Sequence, residues 1–190
     1  VSWPKRIAAD ATMRSQFHHV VDIVPTIYDL LDIPHPKVVH GYEQMPMDGV
    51  SLAYTFEDGS ATGRKQTQFF DNNGSRGLYL DGWYASTFGP LVPWLNAQKG
   101  LAEWDSEKDE WQLYNLRQDF SQATDVASQH PQKLAEMKRL FLEVAEDNQV
   151  FPIGDGIWLR LHPSDLRKTH NSSWTFNRKT RRMQEFTAPG

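Results

Sequence analysis

The sequence predicts an α+β fold: a small antiparallel sheet of about four strands, covered by a C-terminal helix and preceded by a helix and long loops. Three observations carry this. Between residues 67 and 116, short runs rich in aromatic and β-branched residues are separated by turn signals. Residues 131–147 place Leu134, Met137, Leu140 or Phe141, and Val144 on one helical face, with Lys133, Glu136, Lys138, Arg139 and Glu143 on the other. Near the start, Ile23, Ile27, Leu30 and Leu31 recur at helical spacing within His18–Pro34.

Each element has its own punctuation. In the first helix, expected over about residues 22–33, Asp22 is placed to cap the N-terminus. Pro25 falls in the first turn, where a missing N–H costs nothing, and Pro34 is expected to stop the helix. Residues 35–66 are rich in Pro, Gly, Asp and Ser without a sustained period, which predicts loop, with one helical turn at Leu52–Phe56 beside Asp48-Gly49. The strand candidates are Thr67–Phe70, Gly77–Leu80, Trp83–Phe88 and Trp111–Leu116, with Asp81-Gly82 as a hairpin turn. The last strand is expected to alternate Trp111, Leu113 and Asn115 against Gln112, Tyr114 and Leu116. The covering helix opens on Pro131. After Phe151-Pro152 the pattern fades, and residues 152–190 read as an extended tail. That tail holds a sequon at Asn171-Ser172-Ser173 and a basic run, Arg178 to Arg182, read as solvated.

Composition narrows the function classes. The 190 residues carry 39% hydrophobic and 12% aromatic side chains, enough for a real core. The mean hydropathy of −0.61 points to some unpacked segments. A net charge of −4 argues against a nucleic-acid surface. No apolar run reaches the 18 or so residues that span a membrane. Zero Cys excludes disulfides, thiolate metal sites and a cysteine-derived nucleophile in this chain. The opening Val1-Ser2-Trp3-Pro4 reads as the middle of a longer chain. Localisation therefore stays open, with bacterial cytoplasm and periplasm both compatible.

Three stretches, in order, resemble one family. V-x-D-I-x-P-T-x-x-D-L-L-x-I-P at residues 20–34 is similar to a helix of type I sulfatases, the arylsulfatase family of the alkaline-phosphatase superfamily. Arg76 to Ala85, R-G-L-Y-L-D-G-W-Y-A, resembles that family's R-x-I-x-x-x-x-W-K-A hairpin, with Tyr84 where many relatives have Lys. Trp111 to Asp119, followed by Asp125-Val126-Ala127, resembles its W-x-L-Y-D-L-x-x-D…D-L-A ending. The resemblance covers residues 1 to about 151 and concerns the C-terminal portion of such an enzyme. It implies three segments: residues 1–66 as the tail end of a larger catalytic α/β domain, 67–151 as a sheet-and-helix subdomain, and 152–190 as the tail.

For the parent enzyme, the resemblance implies sulfate-ester hydrolysis. A formylglycine acts as nucleophile, Ca²⁺ sits on the sulfate oxygens, and Lys, Arg and His stabilise the developing charge. The family's catalytic and metal-binding residues lie in motifs expected upstream of Val1, so no catalytic and no metal residue is assigned in this chain. Ser2-Trp3-Pro4-Lys5-Arg6 satisfies S-x-P-x-R, but Ile7-Ala8-Ala9-Asp10 does not continue that signature, and Ser2 is rejected as a nucleophile.

What remains are candidates for the substrate rim: His18, His19, Asn72, Asn73 and Arg76. Asp71-Asn72-Asn73-Gly74 looks like a calcium-ligating D-N-x-G but reads as a turn. Adjacent His18 and His19 point in different directions and cannot easily chelate one ion. The implied partners are the missing N-terminal catalytic domain and a sulfate ester, with no nucleic acid and no membrane; in isolation, an exposed helix face predicts a homo-oligomer. Two alternatives remain. One is a phosphonate or phosphate ester hydrolase of the same superfamily. The other is a carbohydrate-binding module presenting Trp83, Trp94, Trp104 and Trp111.

Overall fold

A computed structural model describes residues 2–7, 13–90 and 104–154, and the backbone of 172–177 and 182–187. Trp94, Asn171 and residues 178–181 of the basic run lie outside the described residues. The chain divides into two compact units, Val1–Gln68 and Phe69–Gly190.

The first unit is loop-rich. A 3-10 turn at Val20–Asp22 leads into helix α1, Ile23–Leu30. Asp22 does not cap α1 as expected, because its carboxylate makes no capping bond to that helix. It serves the preceding turn instead: His19 and Asp22 form a capping box around Val20–Asp22. Nor does Pro34 set the helix end. The backbone leaves α1 at Asp32, which takes φ 53°. Ile33 N then donates to Tyr28 O (2.9 Å) and Asp32 N to Asp29 O (3.4 Å), the two bonds of a Schellman motif. The expected apolar stripe forms, and it is open: Ile23, Ile27 and Leu31 are each about half exposed.

The expectation that residues 35–66 hold loop and a single helical turn also needs correction. Strands β1, Val38–Val39, and β2, Tyr42–Glu43, pair antiparallel around His40 and Gly41, both at positive φ. Two-residue strands are too short to show a period of two, which is why the pattern missed them. The single helical turn is present as α2, Tyr54–Glu57.

The second unit holds the predicted sheet and helix. Strands β3 (Thr67–Asn72, starting at the unit boundary), β4 (Ser75–Leu80), β5 (Trp83–Thr87) and β6 (Gln112–Asn115) form one antiparallel sheet in the order β3-β4-β5-β6. Asp81 and Gly82 both take positive φ, the requirement of a two-residue primed turn. Helix α3, Pro131–Asp147, lies against β4 and β5.

Register explains the core. Leu78 pairs with Ala85, and Ala85 with Leu113, so the three share one face. They are fully buried with Met137, Phe141 and Ala145 of α3. The Phe141 ring stacks on Phe69 at 5.0 Å and meets Trp111 edge-on at 5.3 Å. The helix face is thus 134-137-141-145, and Ala145 belongs in the stripe named from sequence. α3 ends as α1 does: Gln149 takes φ 56°, and Val150 N donates to Ala145 O (2.9 Å).

Along β6 the expected split into one buried and one open face is incomplete, since Tyr114 is as buried as a core residue. Tyr79, Tyr84 and Tyr114 are in register across β4, β5 and β6. Burial holds all three phenols above their usual ionisation range. The other edge of β6 is served by the Asp125 segment. Asp125 accepts from Leu113 N and Ala127 N (both 2.9 Å), and Val126 N donates to Leu113 O (2.9 Å). The D-V-A of the matched ending is therefore an edge cover.

The tail is not wholly extended. Ser172–Asn177 and Arg182–Thr187 pair as an antiparallel hairpin, β7–β8, with Asn177 opposite Arg182. The alternation of Trp174 and Phe176 was its sequence signal, diluted by the basic residues that follow.

Candidate functional site

Of the five rim candidates, His18 and His19 lie in the first unit and Asn72, Asn73 and Arg76 in the second. In the first unit, the two histidines gather around Asp22, whose side chain is fully buried. Asp22 Oδ2 accepts from His19 N (2.7 Å) and meets His18 Nδ1 at 3.2 Å. Asp22 Oδ1 accepts from Val50 N (2.9 Å) and from Lys65 Nζ (2.9 Å). Burial alone would raise this carboxyl's pKa. The His19 and Val50 amides and the Lys65 ammonium outweigh it and hold the pKa below the ordinary carboxylate range. Lys65 is itself buried and is committed to this pair.

The network ties the 48–52 loop to α1. Thr26 Oγ1 donates to Asp22 O (2.6 Å) and accepts from Leu52 N (2.9 Å). Gly49 lies so close to α1 that an added Cβ would meet Pro25 Cγ at 2.7 Å, so only glycine fits there without movement. The far nitrogen of His18, Nε2, meets the Tyr54 hydroxyl at 3.2 Å. His18 thus bridges a buried carboxylate and a phenol while its side chain stays 18% exposed. His19 turns its Nδ1 to Val21 N (3.5 Å) instead. The two rings have separate partners, as adjacent positions require.

In the second unit, Asn72 and Asn73 sit at the β3–β4 turn, with Asn73 at φ 53° and Gly74 at φ 83°. The D-N-N-G stretch is the tight turn its composition indicated. Asn73 Nδ2 donates to Asn72 Oδ1 (3.0 Å), which sets one amide against the other at the tip. Partial desolvation raises the pKa of neighbouring Asp71, against the opposing pull of Arg76.

Arg76 is in the interior, with a side chain only 1% exposed. Its Nη1 donates to Gly74 O (3.1 Å), and its Nη2 donates to Ser106 O (3.1 Å) and Asp109 Oδ2 (2.8 Å). The guanidinium lies 5.9 Å from the Trp104 ring and 5.6 Å from the Trp111 ring, and Trp104 Nε1 donates to Asp109 (3.0 Å). It bolts the β3–β4 turn to the segment before β6, a packing role that burial makes costly to lose. Tyr84, the departure from the family's Lys, stands edge-on to Phe70 at 5.9 Å, and its hydroxyl fills the space a Gly77 side chain would need.

Sequence reasoning missed Lys65 and Tyr54 as site residues. Neither carries a spacing signal: each is a single polar residue in a loop-rich stretch. Among the described residues, no group of three or more His, Asp or Glu is arranged to hold a metal ion. The geometry offers hydrogen-bonding and cationic groups held in fixed positions.

An uncharacterized sulfatase of Schizosaccharomyces pombe is 29% identical over 143 residues, which is 75% of this chain and 23% of that protein. The chain matches a sulfatase. The recognition made from three ordered motifs therefore holds, over about a quarter of the curated relative's length. No family model matches the chain. Among solved structures, Ps i-CgsB in complex with k-i-k-neocarrahexaose superposes with a TM-score of 0.56 at 19% identity, over 84% of this chain and 32% of that one. Ps i-CgsB on its own gives 0.52 over the same shares. At that identity the likeness is one of fold.

Proposed function

We propose that this chain is the C-terminal portion of an arylsulfatase-like sulfuric ester hydrolase, completing the fold and shaping the substrate cleft without carrying the nucleophile. The observation that carries this is the 143-residue match to a sulfatase about four times as long as the matched segment, 23% of that relative being covered. The parent is a sulfatase that uses formylglycine and Ca²⁺, neither placed on residues of this chain. Its N-terminal catalytic domain is the partner that covers the open face of α1, where Ile23, Val24 and Ile27 are each about half exposed. Without that domain, the same face drives the chain to self-associate.

The rim role is proposed for His18, His19, Asn72 and Asn73. Arg76 acts from beneath, by fixing the turn that bears the two asparagines. None of these groups replaces the missing nucleophile and metal. Rim contacts act alike on ground and transition states, and catalytic groups that work as a unit leave little behind when removed. Among the described residues nothing favours a stacking platform for sugars: Trp83 and Trp111 pack on the core, and Trp104 Nε1 donates to Asp109.

The test is an aryl sulfate assay on the chain, purified free of host sulfatase, with and without Ca²⁺. No turnover is expected in either condition. Turnover that survives purification and disappears in Ser2→Ala would overturn the proposal. Joining the chain to the upstream region of its own gene product should restore Ca²⁺-dependent hydrolysis.

A further inference from the structure

Asn73-Gly74 is the only Asn-Gly pair in the sequence, and it forms the turn between β3 and β4. Asn is a thermolabile residue, because the backbone nitrogen that follows it can attack its side-chain amide. A following glycine has no Cβ to shield that nitrogen. Asp-Gly pairs, whose carboxyl is a poorer electrophile, stand at 48–49, 58–59 and 81–82 among the described residues.

The structure holds these four places differently. At Asp81-Gly82 the glycine amide is bonded to the Tyr79 hydroxyl, Asp81 pairs with Arg117 (2.6 Å), and an added Gly82 Cβ would meet Arg117 Nε at 2.6 Å. The Asp58 carboxyl accepts from the Ser60 amide (2.9 Å) and hydroxyl (2.6 Å). At Gly49 an added Cβ would meet Val21 O at 2.2 Å, so that backbone has no room to turn. Asn73 and Gly74 are less secured. Among the described residues, the Gly74 amide makes no hydrogen bond. Asn73 is half-buried, and its Nδ2 donates to the exposed Asn72 side chain (3.0 Å).

We propose that Asn73 is a site of spontaneous deamidation, and that its isoaspartyl product unfastens the β3–β4 turn. When the turn opens, base removes the Gly74 N–H proton and the nitrogen attacks Asn73 Cγ. The Cγ–Nδ2 bond breaks, and ammonia leaves with a proton from water. The cyclic imide then takes up one water. Cleavage between Cγ and the Gly74 nitrogen gives aspartate. Cleavage between the Asn73 carbonyl carbon and that nitrogen gives isoaspartate, whose backbone runs through the side chain and is one carbon longer. Nothing is oxidised or reduced: an amide and water become a carboxylic acid and ammonia. The turn has no slack for the extra carbon. An added Cβ at Gly89 would meet Gly74 C at 2.5 Å, Ser75 N at 2.7 Å and Asn73 O at 2.8 Å, so two stretches of backbone already touch there. Gly89 N donates to Ser75 Oγ (3.0 Å), and Arg76 Nη1 holds Gly74 O (3.1 Å). Lengthening the turn displaces the carbonyl that Arg76 holds. Nothing in this depends on the hydrolytic activity proposed above.

The experiment is incubation of the folded full chain at mildly alkaline pH in heavy-oxygen water, followed by peptide mapping that separates aspartate from isoaspartate. Label is expected at residue 73 and at no other asparagine, and Asn73→Gln should abolish it. The urea-unfolded chain should react several-fold faster, because the turn has to open first. Hydrogen exchange then reads the consequence. In the isoaspartyl form, protection of the β3 and β4 amides should fall about tenfold, the worth of one or two hydrogen bonds. Asn73→Asp carries the new charge without the extra carbon and should keep its protection. A folded chain that stays unlabelled at Asn73 while the unfolded chain is converted would overturn the proposal, as would equal labelling of the other asparagines. Unchanged protection in the isoaspartyl form, or equal loss in Asn73→Asp, would overturn the part assigned to the lengthened backbone.

Discussion

The two units are built around opposite kinds of centre. Among the described residues of Val1–Gln68 the most buried side chain is a carboxylate, Asp22, surrounded by two amides, an ammonium and an imidazole. In Phe69–Gly190 the centre is Leu78, Leu113, Met137 and Phe141, with no polar group among them. The first unit leaves its apolar helix face open, and the second closes its own under α3. A unit with a dry core specifies itself. A unit centred on a carboxylate, with Ile23, Val24 and Ile27 about half exposed, leaves apolar surface open. The difference predicts that the two units answer differently to truncation and to acid.

The comparison breaks most readily at Phe141. Truncating it removes contacts with Phe69 and Trp111 together, and Phe141→Ala should cost the second unit about 3–5 kcal/mol. Hydrogen exchange should show β4 and β5 losing protection while the amides of α1 keep theirs. Equal loss in both units would show that they share one cooperative core.

Asp22→Ala is the counterpart in the first unit. It leaves Lys65 buried without a partner, and breaking a buried pair from one side costs about 3–5 kcal/mol, less whatever water relieves. The double variant Asp22→Ala/Lys65→Met should recover part of this, because the stranded charge is gone. A double variant no better than the single one would mean that the Val50 and His19 bonds, not the ion pair, hold the loop.

Acid separates the units without mutation. The Asp22 pKa is depressed in the folded chain, so its contribution is fully present above the ordinary carboxylate value of 3.8 and is lost as pH falls through and below it. Exchange at Val50 and Leu52 should therefore rise below about pH 4, ahead of exchange in β4. Simultaneous loss in both units would place the acid-sensitive group elsewhere.

How much of this was legible follows the same division. Met137 and Phe141 recur at helical spacing, Asp81-Gly82 is a turn by chemistry, and Leu113 lies in an alternating run; periodicity reports whatever faces a dry core. Lys65 and Tyr54 gave no signal, because a buried polar contact between residues 43 positions apart, such as Asp22 with Lys65, leaves no period behind. Arg76 was visible as a motif residue, but its burial was not. The sequence marks it as important without saying that Asp109 and two indoles enclose it. The D-V-A ending was recognised by resemblance, and only the structure gives it a task, at the edge of β6.

The smallest expected effect tests a device that both units use. Both α1 and α3 close with a Schellman motif whose left-handed residue is not glycine, Asp32 in one and Gln149 in the other. A side chain at such a φ is strained, and glycine is not, although glycine loses more freedom on folding. Asp32→Gly and Gln149→Gly should each stabilise their own unit by up to about 1 kcal/mol, since the bonds of the motif are already in place. The gain at Gln149 should appear as a rise in melting temperature, because α3 supplies Met137, Phe141 and Ala145 to the apolar core. The gain at Asp32 should appear only as slower exchange in α1, because α1 contributes no side chain to the apolar core cluster. A melting shift from Asp32→Gly as large as that from Gln149→Gly would mean that a charged centre supports a unit as firmly as an apolar one.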